Sequence, residues 1–294
     1  MSSGTILILS GGQDSTTVLF YARQQYSDSP VHAITFDYGQ RHSREIDAAR
    51  IVARLAGVAS HEVLELPLDI LKGTSPLISQ EPLEQYADHR SLPGGLEKTF
   101  VPMRNQLFLT VAFNRAVCLG ARRILIGVSQ EDYGGYPDCR REFVKWAERA
   151  SNIGLGLTQL STPAQGYIEV ETPLMSLSKA ESVELALKLP GCYEALAFSH
   201  TSYDGEYPPL GKDHATLLRA KGFEEANVPD PLILRAVYEN RMQLPNSPTY
   251  RQNPDIADFY GRVAEAVDRE RAYRRREAEQ GQFPAYEKRG REGV

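Results

Sequence analysis

Short β-branched and apolar runs recur at Thr5 to Leu9, Val31 to Phe36, His61 to Leu66, Arg123 to Val128 and Tyr167 to Val170, with helically spaced apolar residues between the first four. These runs predict strands. Helices are predicted at Ser15 to Tyr26, Glu45 to Ala56, Gln106 to Leu119, Arg141 to Ile153 and Lys179 to Leu187. Alternation of this kind implies an α/β fold, a doubly wound parallel sheet covered by helices on both faces, with a smaller helical C-terminal region. The expected organisation is an α/β domain over residues 1–190, a helical subdomain over 191–243, and a linker with a C-terminal helix over 244–294.

Two stretches break the pattern. From Asp69 to Lys98 the chain turns to Gly, Pro, Ser and mixed charge, which predicts a long surface excursion near the site, and Leu196 to Pro209 is a second irregular segment. After Leu244-Pro-Asn-Ser-Pro248 a last helix is predicted from near Pro254, with Ile256, Phe259, Tyr260, Val263 and Val267 on one face. That face either packs on its own core or serves a subunit interface. The charged run from Arg269 to Arg276 is expected to be a solvated helix end rather than a binding patch. The sequence has no internal repeats.

In open parallel sheets, binding sites gather at the carboxyl ends of the strands. Ser10-Gly-Gly-Gln-Asp-Ser15 follows the first predicted strand, Asp37-Tyr-Gly-Gln40 the second and Ser129-Gln-Glu-Asp132 the fourth, so all three fall on one edge. Gly11 and Gly12 allow positive φ and close backbone approach to an anion, while the first amides of the following helix carry the positive end of its dipole. Ser10 and Ser15 add hydroxyls. The result is a phosphate cradle, with an ordinary capped βα turn as the plainer alternative. Asp14 either helps to place a Mg²⁺ on phosphate oxygens or caps the helix.

Charge and cysteine narrow the possibilities. With 33 Lys and Arg against 38 Asp and Glu, the net charge is -5, which argues against a broad nucleic-acid surface. Cys118, Cys139 and Cys192 are too few and too scattered for a disulfide framework, so a reducing cytoplasm is expected. Neither a signal-peptide pattern nor a membrane-length apolar run occurs, and no membrane partner is expected.

Ser10-Gly-Gly-Gln-Asp-Ser15 resembles the PP-loop of the ATP pyrophosphatase superfamily, whose fold is adenine nucleotide α-hydrolase-like; it lacks the Lys of a P-loop kinase. The resemblance implies a cradle for the β and γ phosphates, leaving together as pyrophosphate when a substrate attacks the α phosphorus. Thr35-Phe-Asp-Tyr-Gly-Gln-Arg-His42, Thr99-Phe-Val-Pro-Met-Arg-Asn105, Gly134-Gly-Tyr-Pro-Asp-Cys-Arg140 and Glu171-Thr-Pro-Leu-Met-Ser-Leu-Ser-Lys179 continue the likeness. In that order they resemble the motifs of the QueC family, the 7-cyano-7-deazaguanine synthases, from the first strand to about Phe223. This resemblance implies ATP-dependent activation of 7-carboxy-7-deazaguanine, amide formation with ammonia, dehydration to a nitrile with a second ATP, and a homodimer.

It also implies roles for particular residues. The nucleotide set is Ser10, Gly11, Gly12, Asp14, Ser15, Thr16, Phe36, Asp37 and Gly127, with Phe36 and Asp37 where the superfamily places adenine and ribose. Asp14, Arg104 and Lys179 form the catalytic set, the two cations facing the triphosphate or the charge developing at the α phosphorus, unless each is a surface ion pair. A guanine-like base presents N1–H and an exocyclic amine; Asp138 suits that edge, or else caps the helix ahead of Arg141. Phe100, Tyr133 or Tyr136 is suited to stack on the base, and Arg140 belongs to the same substrate motif. Arg41 and His42 are further phosphate or acid–base candidates, His42 equally a structural histidine. Cys139 reads as a small half-buried thiol rather than a nucleophile.

One departure is clear. The family's four zinc cysteines fall on Ser202, Leu210, Asp213 and Thr216, so no structural zinc is expected. The loss leaves the ATP and base motifs intact but reopens the acceptor: ammonia, or an amine of a partner protein, as in QueC-like antiphage-defence enzymes. A tRNA-thiolating enzyme would want a persulfide cysteine pair or cluster ligands and a basic face, which this sequence lacks. A catalytically idle nucleotide module is opposed by the intact Ser10 to Ser15, Arg104 and Lys179.

Overall fold

The structure, a computed structural model, describes residues 3–38, 44–67, 75, 87, 99–129, 136–158, 160–202, 205–209 and 211–280. The described strands are β1 (Thr5–Ile8), β2 (Val31–Asp37), β3 (Ser60–Glu65), β4 (Arg123–Ile126) and β5 (Glu169–Glu171). They form one parallel sheet in the order β3-β2-β1-β4-β5, with Thr5 opposite Val31 on one side and Arg123 on the other. The chain therefore winds outward from β1 in both directions, which opens a crevice at the carboxyl ends of β1 and β4.

Alternate residues of the strands serve opposite faces. Leu7 and Ala33 pack with Val18 and Leu19 of α1 (Gln13–Gln25) and Ala49 and Val52 of α2 (Arg44–Ala56). On the other face Ile6, Ile8, Ile34 and Phe36 meet Phe108, Leu109 and Phe113 of α3 (Arg104–Leu119) and Val144 of α4 (Arg141–Gly154). The sheet is thus doubly wound, as the pattern predicts. Each predicted boundary of these elements lies within two residues of the observed one.

The helices that follow extend the first of these cores. They are α5 (Lys179–Lys188), α6 (Cys192–Leu196), α7 (His214–Glu225), α8 (Pro231–Tyr238), α9 (Pro248–Arg251) and α10 (Ile256–Glu279). Tyr193, Phe223, Leu234, Val263 and Val267 share one apolar cluster with α1 and α2. The apolar face of α10 therefore packs on its own chain; burial of Val263 and Val267 contributes about 1.5–3 kcal/mol each. Arg54 of α2 pairs with Glu270 and lies 3.8 Å over the Tyr273 ring, and Arg262 donates to Glu194 at 2.7 Å. Within the charged run, Arg271 pairs with Asp268 at 3.6 Å and Arg274 with Glu270 at 2.8 Å. The 69–98 excursion lies outside the described residues, apart from Ser75 and Ala87. None of the described helices is long and apolar enough to cross a membrane.

Candidate active site

The turn after β1 is shaped by close backbone approaches. Gly11 has φ +85°, and a Cβ there would lie 2.3 Å from the Glu45 carbonyl oxygen and 2.7 Å from the Ala49 nitrogen. Only glycine lets the loop lie this tightly on α2. Gly127, just past β4, is constrained in the same way: a Cβ would sit 2.9 Å from the Ser15 nitrogen. Ser10 Oγ accepts from the Gly12 amide at 3.2 Å and lies 2.9 Å from Ser15 Oγ, which itself accepts from the Ser10 amide at 3.2 Å. Thr16 is fully buried and donates through Oγ1 to the Gly12 carbonyl at 2.7 Å. It supports the loop from beneath.

The loop opens on a cavity of about 290 Å³ at the carboxyl edge of the sheet. Of the residues singled out in the sequence, Ser10, Gly12, Asp14, Ser15, Phe36, Arg104, Gly127, Tyr136, Cys139, Lys179 and Ser202 line it. Gly11, Thr16, Asp37, Phe100, Asp138 and Arg140 stand behind or beside that wall rather than on it. Tyr133, Arg41, His42 and Leu210 lie outside the described residues.

Lys179 is the first residue of α5 and Arg104 the first of α3. A cation at a helix N-terminus opposes the helix dipole, so both positions run against local preference. Lys179 Nζ donates to Asp14 Oδ2 at 2.7 Å across the cavity wall, and a capping box between Ser178 and Glu181 fixes the start of α5. Arg104 follows Met103, a non-glycine residue with φ +63°, and its guanidinium reaches the Tyr38 hydroxyl at 3.4 Å. Two helix N-termini, each carrying a cation, and the amides of the glycine loop thus converge on one space, which suits a polyanion.

Asp138 does not cap α4, and it makes a bond that the sequence did not suggest. It sits in a short 3-10 turn, Pro137–Cys139, and its Oδ2 accepts from the backbone N–H of Asn105 at 3.3 Å, while Asn105 Nδ2 donates to the Asp138 carbonyl at 3.2 Å. It therefore caps the first turn of α3 from across the fold; α4 begins at the Arg140 cap with no side-chain bond. Burial pushes the Asp138 carboxyl up, opposed by Arg104 and the Asn105 N–H. The sequence pattern gave no hint of Glu45, a half-buried carboxyl on the cavity wall whose pKa is pushed up to about 7 by lost hydration against the pull of Arg104. Tyr136 holds the Thr99 hydroxyl at 2.6 Å and stacks obliquely on Phe100, with centroids 5.4 Å apart. Cys139 is buried beside Asn105, as a packing thiol is.

A third wall comes from the C-terminal helices. His200, Thr201, Ser202, His214, Leu218 and Arg219 line it. Arg219, almost fully buried, donates to both carboxylate oxygens of Asp230 at 2.7 and 2.8 Å, to Ser199 Oγ at 2.7 Å and to Thr201 Oγ1 at 3.0 Å. Among the described residues no group of three or more His, Cys, Asp or Glu side chains is arranged to hold a metal.

Residues 4–227 match the family model described as Queuosine biosynthesis protein QueC. The chain is 48% identical over 229 residues to a 7-cyano-7-deazaguanine synthase of Gloeobacter violaceus, covering 77% of this chain and 94% of that one. It is 47% identical over 238 residues to the enzyme of that name from Chromobacterium violaceum, and 45% over 231 residues to that from Laribacter hongkongensis; these cover 80% and 78% of this chain and 94% of each relative.

Proposed function

Because the chain belongs to the QueC family, we propose that its cavity activates the carboxylate of 7-carboxy-7-deazaguanine with ATP and passes the acyl group to nitrogen. The protein is an ATP-dependent, ligase-type enzyme acting on a small molecule. In the proposed reaction the substrate carboxylate attacks the α phosphorus, the bond to the β-phosphate oxygen breaks, and pyrophosphate leaves. Ammonia then displaces AMP from the acyl-adenylate with loss of a proton, giving the amide. The amide oxygen then attacks the α phosphorus of a second ATP, pyrophosphate leaves, and loss of AMP together with the two N–H protons gives the nitrile.

The observation that carries this reading is the meeting of Lys179 and Arg104, each at the start of its helix, with the Ser10 to Ser15 loop on one cavity. The loop amides and Lys179 would neutralise the leaving pyrophosphate, and Arg104 would draw in the attacking carboxylate and the charge that develops at phosphorus. Asp14 would supply an oxygen to the Mg²⁺ that accompanies the triphosphate; as a hard carboxylate donor beside the loop it fits that cation. Tyr136, with Phe100 behind it, would lie against the face of the deazaguanine.

The test mixes protein, Mg²⁺-ATP and 7-carboxy-7-deazaguanine with and without ammonium, and follows AMP, pyrophosphate and product mass by mass spectrometry. Nitrile or amide formed only with ammonium is the expected result. Pyrophosphate release with the acyl-adenylate accumulating even when ammonium is present would assign the acceptor to another amine. No substrate-dependent pyrophosphate release would refute the reading.

A further inference from the structure

The QueC resemblance implies a zinc beneath the α7 wall, and the side chains in those places do not suit one. Ser202 Oγ donates to Asp213 Oδ2 at 3.3 Å; Asp213 Oδ1 accepts from the Thr216 amide at 3.0 Å; Thr216 Oγ1 returns a bond to the Asp213 carbonyl at 2.9 Å. All three residues are at most 5% exposed. Zinc sites of this kind take thiolates and imidazoles, whereas here there are two hydroxyls and one carboxylate, and both carboxylate oxygens already accept hydrogen bonds. The three residues form a closed polar knot, and Asp213 is at once its centre and the N-cap of α7.

The knot has two connections to the nucleotide loop. On one side, the His200 amide donates to the Gly11 carbonyl at 2.8 Å and the His200 ring nitrogen Nε2 lies 3.0 Å from the Ser202 carbonyl, so the segment holding Ser202 is tied directly to the phosphate turn. On the other, α7 lies on the start of α5: a Cβ at Gly222 would stand 2.8 Å from the Lys179 Cβ. Lys179 in turn reaches Asp14 in the same loop. A ring therefore runs from Gly11 through His200, Ser202, Asp213, α7 and Lys179 back to Asp14, enclosing the cavity.

We propose that Asp213 is a positioning residue of the nucleotide site, holding α7 and through it Lys179 in place by hydrogen bonds alone, so that the site works without a structural metal. The proposal concerns ATP binding and stands whether or not the acyl substrate is a deazaguanine.

The experiment compares wild type, Asp213→Ala, Asp213→Asn and Ser202→Ala by ATP titration calorimetry, thermal melting and metal analysis after exhaustive chelation. Chelation is expected to leave the Kd for ATP and the Tm of the wild type unchanged. Asp213→Ala should lower Tm and weaken ATP binding by about tenfold, while Asp213→Asn, which keeps an acceptor for the Thr216 amide, should stay within about threefold. In a Lys179→Ala background Asp213→Ala should still lower Tm but weaken ATP binding far less, because the effect runs through Lys179. If Asp213→Ala does not fold, Ser202→Ala carries the test, with an expected weakening of about threefold. A stoichiometric zinc whose removal abolishes ATP binding would overturn the proposal. So would a lower Tm with unchanged ATP affinity, or equal losses in the two backgrounds.

Discussion

Glu45→Gln offers a direct check on the electrostatics of the cavity. Glu45 is in the first turn of α2, its carboxyl half-buried on the cavity wall and raised from near 4.5 to about 7. A carboxyl with a raised pKa holds its proton more firmly in the folded state. Its contribution to stability is therefore complete below the unfolded value and is lost as pH climbs through about 7. Full burial would set the cost of ionisation on the order of 3 kcal/mol; with water on the cavity side a discounted figure of about 1–2 kcal/mol is appropriate. Gln is neutral at every pH and escapes that cost. The groups facing Glu45 are Arg104 from α3, which favours ionisation, and the buried Tyr38 after β2. Urea unfolding of both proteins at several values between pH 5 and 8 should show the variant gaining on the wild type by about 1–2 kcal/mol as pH rises. A stability difference that stays constant across that range would refute the assignment of a perturbed carboxyl at this wall.

Three further substitutions test the frame around the site. Gly127→Ala places a Cβ 2.9 Å from the Ser15 nitrogen, so the first turn of α1 must shift; a loss of about 1–3 kcal/mol in stability and a weaker ATP Kd by calorimetry are expected. Arg219→Ala and Asp230→Ala each leave an uncompensated buried charge and should cost about 3–5 kcal/mol in urea unfolding. Because both remove the same pair, the double variant should cost well below their sum; additive losses would mean that the two charges do not depend on each other.

The sheet and its first five helices were legible in the sequence because the central strands β1, β2 and β4 are continuous buried apolar or β-branched runs, and because helical spacing separates the runs that follow. The glycine loop was legible because phosphate cradles have few chemical solutions. α7 was not legible: His214, Thr216, Leu217, Leu218 and Arg219 are all buried, so the helix is enclosed almost all round and shows no polar–apolar period. α6, with five residues, is too short to display one. Glu45 and the bond between Asp138 and the start of α3 were missed for a related reason. A carboxylate's role here is set by what packs against it from another element, Arg104 for one and the start of α3 for the other. Local sequence carries no record of that packing.

The misfits between local preference and observed geometry are concentrated at this one edge. Lys179 and Arg104 put positive charge at helix N-termini, Met103 holds a left-handed backbone, Glu45 keeps a carboxyl where ionisation is costly, and Gly11 accepts an approach that any Cβ would forbid. Elsewhere the chain follows its propensities, with Asp213 and Asp230 as N-caps, Pro231 at the first turn of α8 and a capping box on α5. A bound triphosphate would add negative charge in front of both helix N-termini, beyond the Asp14 carboxylate that Lys179 already meets. Removing one cation should therefore lower the stability of the ATP-bound form by more than that of the free protein, which loses only a pair such as Lys179 with Asp14. That separation marks charge held for a ligand rather than for the fold.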